Sequence, residues 1–145
     1  MTGTAAPAAL IPHAGGMCLL ERVESWSARS ICCLSASHRR QDHPLRRDGV
    51  LASIHLLEYA AQATAVHGAL LQGSGTRAAL KYLAGARDFS LHVDSLDEVT
   101  AELRIDAECL QSLGGSALYA FNVSAGGRFL AAGRLTVMPA TDPRS

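Results

Sequence analysis

Glu58 and Gln62 are the two polar residues that stand out in an otherwise Ala- and Leu-rich stretch between Leu51 and Leu71. Four positions apart, they share one face of a helix and sit one turn from each other. A carboxylate buried among apolar groups must find a partner, or desolvation raises its pKa. A raised pKa is what a general acid near neutral pH needs. The alternative is structural, with Glu58 pairing with a loop arginine or with His55 inside a buried network. Helix position alone leaves both open.

The six histidines supply candidate partners. His13 lies in a Pro-His-Ala-Gly-Gly opening, His38 and His43 flank a basic loop, and His55 and His67 stand near the two ends of the Ala-rich stretch. His92 falls on a later strand; it and His67 read as structural. His55 with Glu58 forms His-x-x-Glu, but a metal centre needs three or four ligands and this pair supplies two. Cys18, Cys32, Cys33 and Cys109 show no Cys-x-x-Cys spacing, and neighbours on a strand point to opposite faces. They read as reduced thiols of a cytoplasmic protein. Arg39, Arg40, Arg46 and Arg47 crowd the loop; either they are a solvated surface or they dock a phosphate or an acidic partner through bidentate contacts.

The elements that must hold these residues follow from pattern. Strands are expected at about Met17 to Ser25 and Arg29 to Ser37, then the loop His38 to Gly49, broken by Pro44. One long helix is expected from about Leu51 to Leu71, ended by a Gly-Ser-Gly turn at Gly73 to Gly75. It is apolar nearly all round, which marks a helix covered on every side. Strand-like segments follow at about Ala78 to Val93, Val99 to Leu110, Ala117 to Ala125 and Arg128 to Met138. Gly114-Gly115 and Gly126-Gly127 read as hairpin turns. The expected architecture is α+β, a curved antiparallel sheet wrapped around one central helix, with a symmetry mate completing the cover.

Composition narrows the function. The 145 residues, 48% apolar, suit one domain with a full-sized core, ordered over about residues 9 to 138. Thirteen basic and thirteen acidic residues balance, so no net field favours nucleic acid or an anionic membrane. No stretch approaches the roughly 18 apolar residues that span a bilayer, and no secretory signal pattern is present.

Two stretches together resemble one family. LIPHAGGMCLLERV, from Leu10 to Val23, is similar to the Pro-His opening of bacterial 3-hydroxyacyl-ACP dehydratases of the hot-dog fold. LEYAAQATAVHG, from Leu57 to Gly68, resembles their central-helix signature, a Glu with Ala-Gln following. The resemblance is nearest to the dehydratase group of aryl polyene clusters, and LHVDSLDEV and GRFLAAGRLTVM extend it to about residue 138. It implies a hot-dog dimer, homo- or heteromeric, that converts a 3-hydroxyacyl thioester to the trans-2-enoyl thioester. The substrate would ride on the phosphopantetheine of an acyl carrier protein, and no other cofactor is expected. A histidine would remove the α-proton, and Glu58 of the other subunit would handle the departing hydroxyl. A backbone amide at the helix N-terminus would polarise the carbonyl, and Ser53 occupies that position. His13 stands first as the base, His43 second and His38 third, while Ser53, Gln62 and Arg46 are the expected substrate contacts. Gly16 replaces the usual proline of the opening, and the Phe-Pro-Gly features around His43 are absent. The alternatives are an accessory hot-dog subunit that binds acyl carrier protein or pairs with another dehydratase, and a thioesterase.

Overall fold

The computed structural model describes residues 18–72 and 81–139. His13 with its opening motif, and the expected Gly73 to Gly75 turn, lie outside the described residues. Six strands form one antiparallel sheet, and one long helix, α1 (Leu56–Gln72), packs against it. In chain order the strands are β1 (Arg22–Trp26) and β2 (Ser30–Ser35) before the helix. After it come β3 (Lys81–Leu91), β4 (Leu103–Leu113), β5 (Ser116–Ala125) and β6 (Arg128–Pro139). The spatial order is β1-β2-β4-β5-β6-β3, so the strand that follows the helix crosses to the far edge.

Period-two alternation fixes which face meets the helix. On β5 the buried residues are Ala117, Tyr119, Phe121, Val123 and Ala125, and the partner residues on β4 are Ile105 and Ala107, which pair with Val123 and Phe121. The expected hairpins are present. Gly114 and Gly115 (φ +62° and +87°) join β4 to β5, and Gly126 and Gly127 (φ +56° and +81°) join β5 to β6. Both central residues of such two-residue turns need positive φ, which glycine adopts without strain.

Three boundaries differ from expectation for identifiable reasons. The first strand starts at Arg22 rather than Met17, because the backbone of Leu19 is bound by side chains of the helix and of β2 instead of by a strand ladder. The helix starts at Leu56 rather than Leu51. Leu51 donates its N–H to Asp97, Ala52 bridges Ser95, and a 3-10 turn, Ser53–His55, leads into the helix proper. A further 3-10 turn, Leu96–Glu98, capped by Ser95 with a reciprocal Glu98 contact, delays β4 to Leu103.

Within this one chain the sheet covers only part of the helix. Leu56, Tyr59, Ala60, Ala63, Val66 and Ala69 are buried against the sheet. Leu57, Glu58, Ala61, Ala65 and Gly68 are only half-buried, and Ile54 and Leu71 are 47% and 49% exposed. These positions recur at helical spacing and form one open lane. At the β3 edge, residues 84–88 are exposed on both faces.

Candidate active site

Glu58 lies in the open lane near the helix start, half-buried rather than enclosed. The Gln62 amide nitrogen donates to Glu58 Oε1 at 3.0 Å, as the four-residue spacing requires. Gln62, 2% exposed, cannot turn over freely, because its Oε1 accepts the N–H of Leu19 at 2.8 Å. The carboxylate is therefore held in place by an amide that is itself anchored to the backbone entering β1. Gln62, expected to contact substrate, bonds both Glu58 and the Leu19 backbone.

His43 is buried beneath the basic loop. Its Nδ1 accepts the N–H of Leu45 at 3.1 Å, so in the neutral ring the proton sits on Nε2, which donates to the Tyr59 hydroxyl at 3.1 Å. Burial, then the nearby Arg46 and His55, pushes its pKa from 6.5 down to about 4. Both nitrogens of the neutral ring are thus engaged within the chain. His38, 1% exposed, donates from Nε2 to the Val99 carbonyl at 2.9 Å, while its Nδ1 is buried with no partner among the described residues. Burial lowers its pKa as well. His55 is half-buried; burial and Arg47 lower its pKa, and Glu58 acts in the opposite direction.

Ser53 and Arg46 are engaged in ways their sequence positions did not reveal. The Ser53 amide donates to the Asp94 carbonyl at 3.2 Å, so it is engaged within the chain. Arg46 is the clasp of the loop. It donates to the carbonyls of Arg40 (3.2 Å), Gly49 (3.0 Å) and His38 (3.0 Å) and to Asp97. That contact first, and the Leu51 N–H next, hold the Asp97 carboxyl below its usual range. Arg46 therefore fixes the loop rather than presenting a free fork to phosphate; Arg39, Arg40 and Arg47 are the exposed arginines of this loop.

Sequence reasoning missed the residues that join these parts. Tyr59, fully buried, contacts both His43 and Ser37, and the hydroxyls of Ser35 and Ser37 both reach the Leu19 carbonyl at 2.6 Å. Ser35 ends β2 and Ser37 opens the 3-10 turn that follows it, so no strand period announces that their hydroxyls meet at Leu19. His67, read as structural from the sequence, bonds Tyr119 (2.6 Å) and the Ser27 carbonyl (2.8 Å) and pins the helix to the sheet. All four cysteines are free.

A long helix packed across a six-stranded antiparallel sheet, with a held carboxylate near its start, defines a hot-dog protein. The chain belongs to the ApeP-like dehydratase family, whose model, described as ApeP dehydratase, matches residues 5–145. A solved structure described as the dehydratase heterocomplex ApeI:P from Xenorhabdus doucetiae is similar at a TM-score of 0.82 and 23% identity, covering 97% of this chain and 94% of that one. AziG of S. sahachiroi superposes at a TM-score of 0.60 with 11% identity, covering 83% of this chain and 91% of that one. A hypothetical thioesterase with coenzyme A from Streptococcus pneumoniae TIGR4 does so at 0.60 with 10% identity, covering 83% and 86%. These likenesses establish the shared fold. No curated protein matches the sequence.

Proposed function

We propose that the chain is a subunit of a dehydratase acting on 3-hydroxyacyl thioesters carried by an acyl carrier protein, with Glu58 as the acid. The observation that carries this reading is the Leu19–Gln62–Glu58 clasp, which holds a carboxylate in an open lane of the central helix. In the reaction a base removes the proton at C2, Glu58 delivers a proton to the C3 hydroxyl, and water leaves as the C2–C3 double bond forms. His13 is the candidate base. It precedes Leu19 by six residues, a tether that spans at most about 20 Å fully extended, and Leu19 is bonded to the residue that holds Glu58.

The open lane and the exposed β3 edge are the surfaces a second hot-dog subunit would cover. The heteromeric state of the similar ApeI:P assembly supports a different chain as that subunit. Two observations favour a second reading, in which this chain is an accessory partner. Both nitrogens of His43 and the amide of Ser53 are engaged internally. On that reading the base and the carbonyl-polarising amide come from the partner.

The test is product analysis of a 3-hydroxyacyl-ACP incubated with the chain alone and with a co-expressed hot-dog partner. A trans-2-enoyl thioester, formed by the chain alone or with the partner and lost in Glu58→Gln, is the expected result. Enoyl product that needs the partner and survives Glu58→Gln would establish the accessory role, and free acid would make the protein a thioesterase.

A further inference from the structure

Leu19 is gripped from both sides. Its N–H holds Gln62, which holds Glu58. Its carbonyl accepts from Ser35 and Ser37. Ser37 Oγ lies 2.6 Å from the Tyr59 hydroxyl, and Tyr59 is 3.1 Å from His43 Nε2. One proton order satisfies His43, Tyr59 and Ser37 together. Leu45 N–H occupies the lone pair on His43 Nδ1, so the neutral ring can only donate from Nε2. Tyr59, receiving that donor, donates to Ser37, and Ser37 donates to the Leu19 carbonyl. Every side chain in this sequence is buried: His43 is 4% exposed, Ser37 5%, Ser35 and Tyr59 0%.

We propose that His43 is a positioning residue for Glu58 and not the base. Through Tyr59 and Ser37 it fixes the Leu19 peptide, and through the Leu19 amide and Gln62 it fixes the carboxylate. A base must offer substrate an unshared pair on nitrogen, and the neutral His43 ring has none to spare. A buried donor deprived of its acceptor is costly, so loss of one member disturbs the next. Displacing a reacting group by about 1 Å can cost roughly 100-fold in rate, so a tether of this kind is felt in turnover. The role in turnover rests on the reading of Glu58 as the acid; the hold on Leu19 does not.

Four variants, His43→Gln, His43→Leu, Tyr59→Phe and the His43→Leu/Tyr59→Phe double, separate the roles. Glutamine can supply a donor near the place of Nε2 but cannot take up a proton. Two quantities are measured: solvent exchange of the Leu19 amide by NMR, and kcat and KM for dehydration of a 3-hydroxyacyl-ACP. His43→Leu and Tyr59→Phe should speed Leu19 exchange by at least about fivefold, the gain expected when a hydrogen bond of about 1 kcal/mol is lost. They should lower kcat by about 10- to 100-fold with KM little changed. The double variant should be no worse than the weaker single. His43→Gln should stay near wild type in both measurements. Abolished turnover in His43→Gln with wild-type Leu19 exchange would make His43 the base and overturn the proposal, as would unchanged Leu19 exchange in both His43→Leu and Tyr59→Phe. If even the wild type fails to turn over, the function proposed above falls, and the exchange measurement still decides whether His43 holds Leu19.

Discussion

At the residue scale, His43 and Glu58 have exchanged the environments that their sequence contexts suggest. His43 sits in a polar, arginine-rich loop and is buried; Glu58 sits among alanines and leucines and is half-open. The consequence for His43 is a measurable pH dependence. Its pKa is pushed from 6.5 to about 4, chiefly by burial. Between those values the unfolded chain binds more protons than the folded one, so stability falls as pH drops from 6.5 towards 4 and levels off below. Urea unfolding at pH 7 and pH 4.5 should show a loss on the order of 2 kcal/mol from this residue. The loss should shrink in His43→Gln, which has no ring to protonate; an equal loss in both proteins would mean that His43 titrates normally. Glu58 and Gln62 stood out because polar residues at i, i+4 are exceptions on an apolar helix, and the resemblance of the surrounding motif, not the position alone, favoured a functional role. The tie from His43 to Leu19 was not legible, because it joins positions 19, 35, 37, 43 and 59 and no local spacing encodes it.

At the element scale, α1 combines two demands in one run of sequence. Large and small apolar residues on one side pack on the sheet, while the half-buried Leu57, Ala61, Ala65 and Gly68 form the arc beside Glu58, with Ala61, Ala65 and Gly68 small. Small side chains let another backbone approach closely, so a bulky charge there acts on association more than on folding. Ala61→Arg should leave the thermal midpoint within a few degrees of wild type. It should abolish association with a second hot-dog subunit, read by size-exclusion chromatography with light scattering. An assembly of unchanged mass would mean that the lane is not the covered surface. From composition, the helix looked apolar all round; which arc stays open was fixed by the sheet, a tertiary fact that period alone does not carry. Its late start has the same origin, since Asp97 and Ser95 hold residues 51 and 52 extended.

At the scale of the whole molecule, the order of strands and helix was readable because alternation, the Gly-Gly turns and one Ala-rich run leave little freedom. The hot-dog fold follows from that order, and family membership from the match over residues 5–145. The site was readable only in part. Glu58 lies half-buried near the helix start against Gln62, while Ser53, Arg46 and His43 turn inward to hold the loop and the helix start. With Ser53, Arg46 and His43 engaged within the chain, the proposed reaction rests on Glu58. The most direct measurement is the rate of enoyl-thioester formation from a 3-hydroxyacyl-ACP by wild type and Glu58→Gln, each with the second hot-dog subunit present. Glutamine keeps the shape and cannot deliver the proton, so the rate should fall by at least about 100-fold. An undiminished rate in Glu58→Gln would contradict the account.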